Sequence, residues 1–164
     1  MLNQFRRLAV MVMIVSATAL GLSHTYADEK RDMQGWGEED PYNQYYDVKE
    51  FEKFRGWVVQ VKEVVPLPGM SPGVALDVRD GSEVIEVHLC PTWFAQPGDI
   101  GIKKGDRVKL KGCWAEIDGK DVFMASKVKK GEIFEFKVRL TKNGKPFWTM
   151  TVEELAAERS SAED

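Results

Sequence analysis

Short segments in which apolar and polar residues alternate, separated by glycine-containing turns, most constrain the fold of this chain. Alternation with a period of two is typical of β-strands that bury one face. The clearest segments are 107–115 and 121–128, which are joined across Asp118-Gly119-Lys120. Similar segments precede them at 55–65, 74–79 and 83–89. The pattern therefore predicts an all-β domain.

The order of these segments predicts a closed barrel. Asp80-Gly81 is a strong hairpin signal between the second and third strands, and a long break separates the third strand from the fourth. This is the strand order of a five-stranded, OB-fold-like Greek-key barrel, here over residues 51–131. Closure of the sheet would remove free strand edges. We expect one common interior to hold Val59, Leu76, Val87, Leu110 and Met124.

Two smaller elements are predicted after the barrel. Residues 132–150 contain an alternating stretch and an Asn143-Gly144 turn signal, which predict an appended hairpin covering part of the barrel. The capping box Thr151-Val-Glu-Glu154 predicts a short helix, followed by a disordered tail that ends at 164. The connection 95–104 contains poor helix formers, and we expect a loop or a single turn there.

The first 27 residues have the features of a secretory signal. Arg6 and Arg7 precede an apolar run over 8–22, which is short for a membrane span. Small residues then lead to Ala27, after which the chain turns sharply polar. We expect cleavage after Ala27 and delivery to the periplasm, with no stable membrane anchor left. Retention of the segment as an anchor is the alternative.

Residues 28–50 form an acidic, aromatic arm without clean helical or strand periodicity. We expect this arm to be extended or loosely packed. It either docks a partner or simply packs on the barrel.

The charge balance argues against a nucleic-acid partner. The chain has 23 basic and 26 acidic residues, and loss of Arg6 and Arg7 with the signal makes it more acidic. Yet cations alternate outward on the fourth and fifth strands. This stripe is either a soluble face that discourages strand association or a site for an anion or a partner. Its residues are Arg107, Lys109, Lys111, Lys127 and Lys129.

Cys90 and Cys113 are the two cysteines of the chain. An even number in an oxidising compartment predicts a disulfide, although alternation places both on the polar sides of their strands. Two free thiols, or attachment of a metal or cofactor, are the alternatives. A metal or redox site would have to combine them with His88, which is the single histidine after cleavage.

Four features of the barrel segment stand out: Glu83-Val-Ile-Glu-Val-His88, Trp93, Lys104-Gly-Asp-Arg-Val-Lys-Leu-Lys-Gly112 and the segment 122–130. Together they resemble the bacterial OB-fold (BOF) family of small periplasmic proteins. The chain also resembles exported proteins with a His-Leu-Gly-Pro-x-Trp segment, in which Cys90 replaces the glycine. Cys113 likewise stands where a small polar residue is usual, and this paired departure favours a bridge. The resemblance implies binding of a small ligand or cation, stress tolerance and no catalytic residues.

The function predicted from the sequence is a non-enzymatic periplasmic binding or accessory module without a cofactor. Its partner would be a small ligand, an ion, or an envelope or respiratory protein. One alternative is a metal- or redox-active protein, and another is a structural stress-tolerance protein without a specific ligand. No catalytic constellation is visible, because His88 lacks an orienting group. Besides the five cations of the stripe, the candidate contact residues are Met70, His88, Trp93 and Trp114.

Overall fold

The computed structural model of the protein describes residues 32–160. The predicted signal and its cleavage site, like the tail at 161–164, lie outside these residues. Between 32 and 160, no helix is both long and apolar enough to cross a membrane. The strands are β1 (Phe51–Val64), β2 (Gly73–Asp80), β3 (Glu83–Pro91), β4 (Arg107–Ile117), β5 (Lys120–Lys130) and β6 (Phe134–Lys137). Short 3-10 helices span Pro41–Tyr45, Val48–Glu50 and Phe147–Thr149, and one α-helix, α1, spans Val152–Ser160.

Pairing between β3 and β5 closes the sheet into a barrel. The strands lie in the order β3-β2-β1-β4-β5-β6, and β3 also pairs with β5 in parallel, with Val87 opposite Phe123 and His88 opposite Met124. The ring therefore runs β1-β2-β3-β5-β4 and returns to β1, with β6 added beside β5. The predicted all-β, OB-fold-like barrel is confirmed.

The barrel interior is filled from alternating positions of these strands. Leu76, Val87 and Leu110 are buried in it, as expected. At one end, the Phe54 and Trp114 rings meet Phe123 edge-on, with ring centroids 4.9 and 5.3 Å apart. Aromatic contacts of this kind stabilise a core beyond the area they bury.

A β-bulge changes which residues of β1 face the interior. Val58 pairs with Val78 and Gln60 with Asp77, so Val59 is the extra residue. Val58 is consequently 2% exposed, whereas Trp57 is 54% exposed. The prediction that Val59 points into the interior, on the same face as Trp57, was wrong because strict alternation does not survive an inserted residue.

The opposite face of the β3-β5-β4 region is also buried. His88, Met124 and Cys113 are directly paired across these strands, so they share one side, away from the interior pair Val87 and Phe123. Met124 is thus buried outside the barrel rather than inside, contrary to the prediction.

The amino-terminal arm covers this outer face. Its buried residues are Trp36, Tyr42 and Tyr46, which are 0%, 1% and 9% exposed. The expectation of an extended or loosely packed arm was wrong, because burying these rings outweighs the lack of regular periodicity.

The carboxy-terminal elements follow their sequence signals. β6 pairs with β5, and a turn at Gly144, whose N–H donates to the Leu140 carbonyl at 2.8 Å, returns the chain. The capping box forms, since the Thr151 N–H donates to Glu154 at 2.9 Å and the Glu154 N–H donates to the Thr151 hydroxyl at 3.2 Å. The connection over 95–104 consists of turns without a helix, as expected.

A second bulge generates a test of the fold. β4 and β5 change register between Lys111 and Gly112, and a Cβ at Gly112 would lie 2.1 Å from the Met124 carbonyl oxygen. We expect Gly112→Ala to lower the free energy of unfolding by about 2–3 kcal/mol, because backbone must move. Gly98→Ala is the control, since a Cβ there meets nothing within 4 Å. Denaturant unfolding that found the two variants equally stable would contradict this packing.

Candidate functional site

The exposed part of the outer face carries the densest charge of the barrel. We call this surface the cationic face. It takes two cations from β1, three from β4, two from β5 and one from β6. They are Lys53, Arg55, Arg107, Lys109, Lys111, Lys127, Lys129 and Lys137. The face begins where the covered region ends, at the bulge between Lys111 and Gly112.

Cations of the cationic face lie opposite one another in register. One row across four strands consists of Lys53, Lys111, Lys127 and Lys137. Like charges directly opposite in a sheet are destabilising. The chain therefore holds these lysines in an arrangement that costs it stability.

The next row of the cationic face contains its single acid. Arg55, Lys109 and Lys129 are paired in this row and end at Glu135 on β6. The Glu135 carboxylate lies 2.8 Å from the Lys129 ammonium, 3.5 Å from Lys127 and 3.6 Å from Lys137. One carboxylate shared among three lysines leaves the surface strongly positive.

The titration of Lys127 reflects this crowding. Partial burial, followed by repulsion from Lys111, Lys137 and Lys129, lowers the pKa of Lys127, although Glu135 opposes the shift. The folded state thus disfavours the charged form of this side chain.

One end of the cationic face carries exposed apolar side chains. Trp57 pairs with Arg107, whose guanidinium carbon lies 5.7 Å from the indole ring. At the same end, the turn between β5 and β6 exposes 97% of Ile133. An open cavity of about 520 Å³ beside this end is lined partly by Lys103 and Lys104.

His88 belongs to a hydrogen-bonded cluster rather than to an open site. It is 3% exposed, and its Nδ1 lies 3.1 Å from the Tyr42 hydroxyl. Its Nε2 lies 3.1 Å from the Glu86 carboxylate, which also accepts from Lys62 at 2.7 Å and from Lys120 at 2.8 Å. A carboxylate only accepts, so Nε2 carries the proton and donates to Glu86. Both ring nitrogens are therefore engaged.

Bonding to His88, and then to Lys120 and Lys62, holds the pKa of Glu86 well below its usual range despite partial burial. Lys62 also pairs with Asp77 at 2.7 Å, which joins β1, β2 and β3. This cluster is a structural clamp that fixes Tyr42, and with it the arm, to the barrel.

Arg139 lies buried between the arm and the segment after β6. It is 3% exposed and donates to the Gly144 carbonyl at 3.2 Å. Its guanidinium carbon lies 4.9 Å from the Trp148 ring, 5.2 Å from Tyr46 and 5.9 Å from Tyr42. Burial lowers the pKa of Arg139 and raises the pKa of both tyrosines. These contacts are of the cation–π type, which strengthen when desolvated.

The disulfide prediction was wrong, because Cys90 and Cys113 are free, buried thiols. β5 lies between their strands, since Met124 pairs with Cys113 on one side and with His88 on the other. Two strand spacings separate the cysteines by about 10 Å, beyond the roughly 7 Å limit for bridged Cα atoms. Burial raises the pKa of Cys90 to about 12, and it also raises the pKa of Cys113.

The metal alternative needs His88, Cys90 and Cys113 to converge. The structure places Cys113 on a different strand from the other two and engages both nitrogens of His88. Among residues 32–160, no three His, Cys, Asp or Glu side chains are grouped so as to hold a metal ion.

The remaining candidate residues are scattered. Trp93 is 39% exposed after β3. Trp114 is half-buried at the barrel end, where its Nε1 donates to Glu52 at 3.1 Å. Met70 is half-buried beside Gly35 of the arm. The structure does not bring these three together, whereas all five predicted stripe cations lie on the cationic face.

Sequence reasoning missed three cations of this face. Lys53 lies before the predicted start of the first strand at residue 55, whereas β1 begins at Phe51. Arg55 stands at that predicted start and alternates with Phe54. Lys137 lies on β6, which pairs with β5 at Lys127. Alternation shows which side of each strand these cations occupy. Only the strand order around the barrel shows that they share one face.

Over the described residues, the fold and this surface define an OB-fold-like barrel domain with one strongly cationic sheet face. Residues 50–134, just over half of the chain, match the model of the MamS/MamX magnetosome protein family. The chain belongs to this family. The predicted membership of the bacterial OB-fold (BOF) family was therefore wrong, since the motifs behind it are features of barrel strands. No curated protein matches the chain.

The Glu86 cluster predicts a pH-dependent stability. Its depressed pKa means that the ionised carboxylate stabilises the fold above the ordinary carboxyl pKa of about 4.3, and that this contribution is lost as pH falls through the lower folded value. We expect Glu86→Gln to lower the free energy of unfolding by about 1–2 kcal/mol at pH 7. The difference from wild type should shrink below about pH 4.

Denaturant unfolding between pH 3 and 7 measures this difference, with the exposed Glu116→Gln as control. A loss of stability in Glu86→Gln that did not change with pH would contradict the assignment.

The register of the cationic face predicts a gain of stability when charge is removed. Lys127→Gln should raise the free energy of unfolding by about 0.5 kcal/mol at low ionic strength. The gain should fade at 1 M salt, where the Debye length is about 3 Å. Exposed Lys142→Gln is the control. Thermal unfolding at both salt concentrations tests this, and a destabilised Lys127→Gln would refute the repulsion argument.

Proposed function

We propose that this protein is a non-enzymatic accessory component of the magnetosome that docks onto an anionic surface through its cationic face. The family supports the setting, since the chain belongs to the MamS/MamX magnetosome protein family. The single observation that carries the docking role is the in-register lysine row Lys53, Lys111, Lys127 and Lys137.

Protection of a strand edge does not account for the central lysines of this row, Lys111 and Lys127. β4 lies between β1 and β5, and β5 lies between β4 and β6, so the backbone groups of both central strands are already paired. Edge lysines discourage aggregation only where a strand has a free side.

Solubility does not account for the row either. The chain is acidic, with a net charge of −3, and a soluble surface is best served by interspersed charges of both signs. Concentrating one sign on one face creates a field that steers an oppositely charged partner. A bound anionic surface would relieve the repulsion that the free protein carries.

The burial of His88 and Cys90 supports a non-catalytic role for the protein. His88 is buried with both nitrogens engaged, and the raised pKa of Cys90 keeps its thiol protonated and unreactive. We therefore place the function on the surface of the barrel.

A charge-reversal experiment tests the proposal. Lys109→Glu/Lys111→Glu should reduce the fraction of the protein that co-purifies with isolated magnetosomes about tenfold, because four units of charge change on the face. Lys49→Glu/Lys142→Glu is the matched control, since it makes the same charge change at exposed positions away from the face. Immunoblots of cell fractions measure the ratio, and circular dichroism checks folding. Equal association of both folded variants would refute the docking role.

A further inference from the structure

Two large apolar side chains at one end of the cationic face are exposed to solvent. Ile133 is 97% exposed at the tip of the β5–β6 turn, and Trp57 is 54% exposed beside Arg107. An exposed aliphatic tip and an exposed indole, adjoining a cationic surface, are features of proteins that lie at a membrane interface.

Backbone pairing places these side chains at the same end of the sheet. Trp57 and Arg107 form the last pair of β1 with β4. In the preceding row, Val108 pairs with Lys130, and Lys130 pairs with Phe134, directly after the Ile133 turn. Trp57, Arg107 and the turn that carries Ile133 therefore lie within two rows of one another at this end.

A fixed loop supports this end of the barrel. The Lys130 ammonium donates to the Gly101 carbonyl at 2.6 Å and pairs with Asp106 at 3.1 Å. The Gly105 N–H donates to the Val58 carbonyl at 2.8 Å. The loop presents Lys103 and Lys104 to solvent. Asp106 is thus paired with Lys130 of β5, and Glu132 is the exposed acid of the neighbouring turn.

The chemistry of the cationic face fits lipid headgroups better than an acidic protein segment. The face spans three strand spacings and four residues along a strand, or about 14 Å by 14 Å. Six of its eight cations are lysines, which act as point charges, whereas recognition of individual carboxylates favours the bidentate fork of arginine. A bilayer also supplies an apolar layer for Ile133, which a soluble acidic segment does not.

We infer that the anionic surface is a lipid bilayer, which the protein contacts with its cationic face while Ile133 and Trp57 insert at the headgroup boundary. This inference rests on the proposed docking function and names its partner. Lysines supply the attraction over the whole face, and the two apolar side chains set the depth and orientation of the barrel.

Vesicle co-sedimentation tests the inference, with protein isolated from the cells that make it. Vesicles of phosphatidylglycerol mixed with phosphatidylcholine should bind the protein, and pure phosphatidylcholine should bind it much more weakly. Ile133→Ser and Trp57→Ser should each weaken binding to the anionic vesicles about tenfold. Val84→Ser is the control, since Val84 is 55% exposed on β3, outside this face.

Depth of insertion gives a second readout. Brominated lipids should quench part of the tryptophan fluorescence of wild type, and Trp57→Phe should abolish that part. Trp57→Phe keeps an aromatic ring at an exposed position, so we expect this variant to fold like wild type.

The outcomes separate the inference from the proposed function. Binding to anionic vesicles that is equal in Ile133→Ser, Trp57→Ser and Val84→Ser would overturn insertion. Binding to soluble polyglutamate without binding to anionic vesicles would overturn the lipid partner and leave the docking function standing. Equal association of Lys109→Glu/Lys111→Glu and its matched control with magnetosomes, measured separately, would overturn both.

Discussion

The parallel pairing of β3 with β5 is the constraint on which the rest of the structure depends. It closes the ring through Val87 opposite Phe123 and His88 opposite Met124. It also places β5 between the strands of the two cysteines, which prevents a bridge. Loss of this contact would leave open edges on β3 and on the first half of β5, and it would separate the surfaces that the arm covers.

The outer face of the closed barrel divides into two halves of opposite character. Beyond the bulge at Gly112, aromatic side chains of the arm cover it, and the cluster of Tyr42, His88 and Glu86 fastens the arm there. Before the bulge it is bare and cationic. A buried half holds the molecule together, whereas the cationic half opposes its own stability. We place recognition on the second half because a structural role does not explain its charge pattern.

Much of the fold followed from the sequence, because alternation and turn residues are local signals. The five barrel strands, the hairpin turn at Gly81 and the capping box at Thr151 were all predictable. Two core predictions were wrong for different reasons. Val59 is the extra residue of a bulge, and Met124 is buried on the outer face of β5. A bulge leaves little trace in a single sequence, and an arm without periodicity gives no sign of the surface it covers.

The candidate site was predictable in part for the same reason. Alternation identified the cations of β4 and β5, but register decides that Lys111 lies opposite both Lys53 and Lys127. Register is a non-local property that the bulges and closure of the barrel set. The disulfide prediction was wrong for the same reason, since an even number of cysteines does not reveal that another strand lies between them. The predicted BOF membership was wrong because similar strand and turn motifs occur in barrels of different families.

Lysine footprinting on isolated magnetosomes tests whether the protein docks through its cationic face. An amine-reactive reagent would label the protein in place, and mass spectrometry would compare each site with the same protein released by salt. If the cationic face docks, Lys53, Lys109 and Lys129 are protected on the magnetosome, while Lys49 and Lys142 react equally in both states. Uniform labelling of all five lysines, or protection confined to Lys49 and Lys142, would contradict docking through this face.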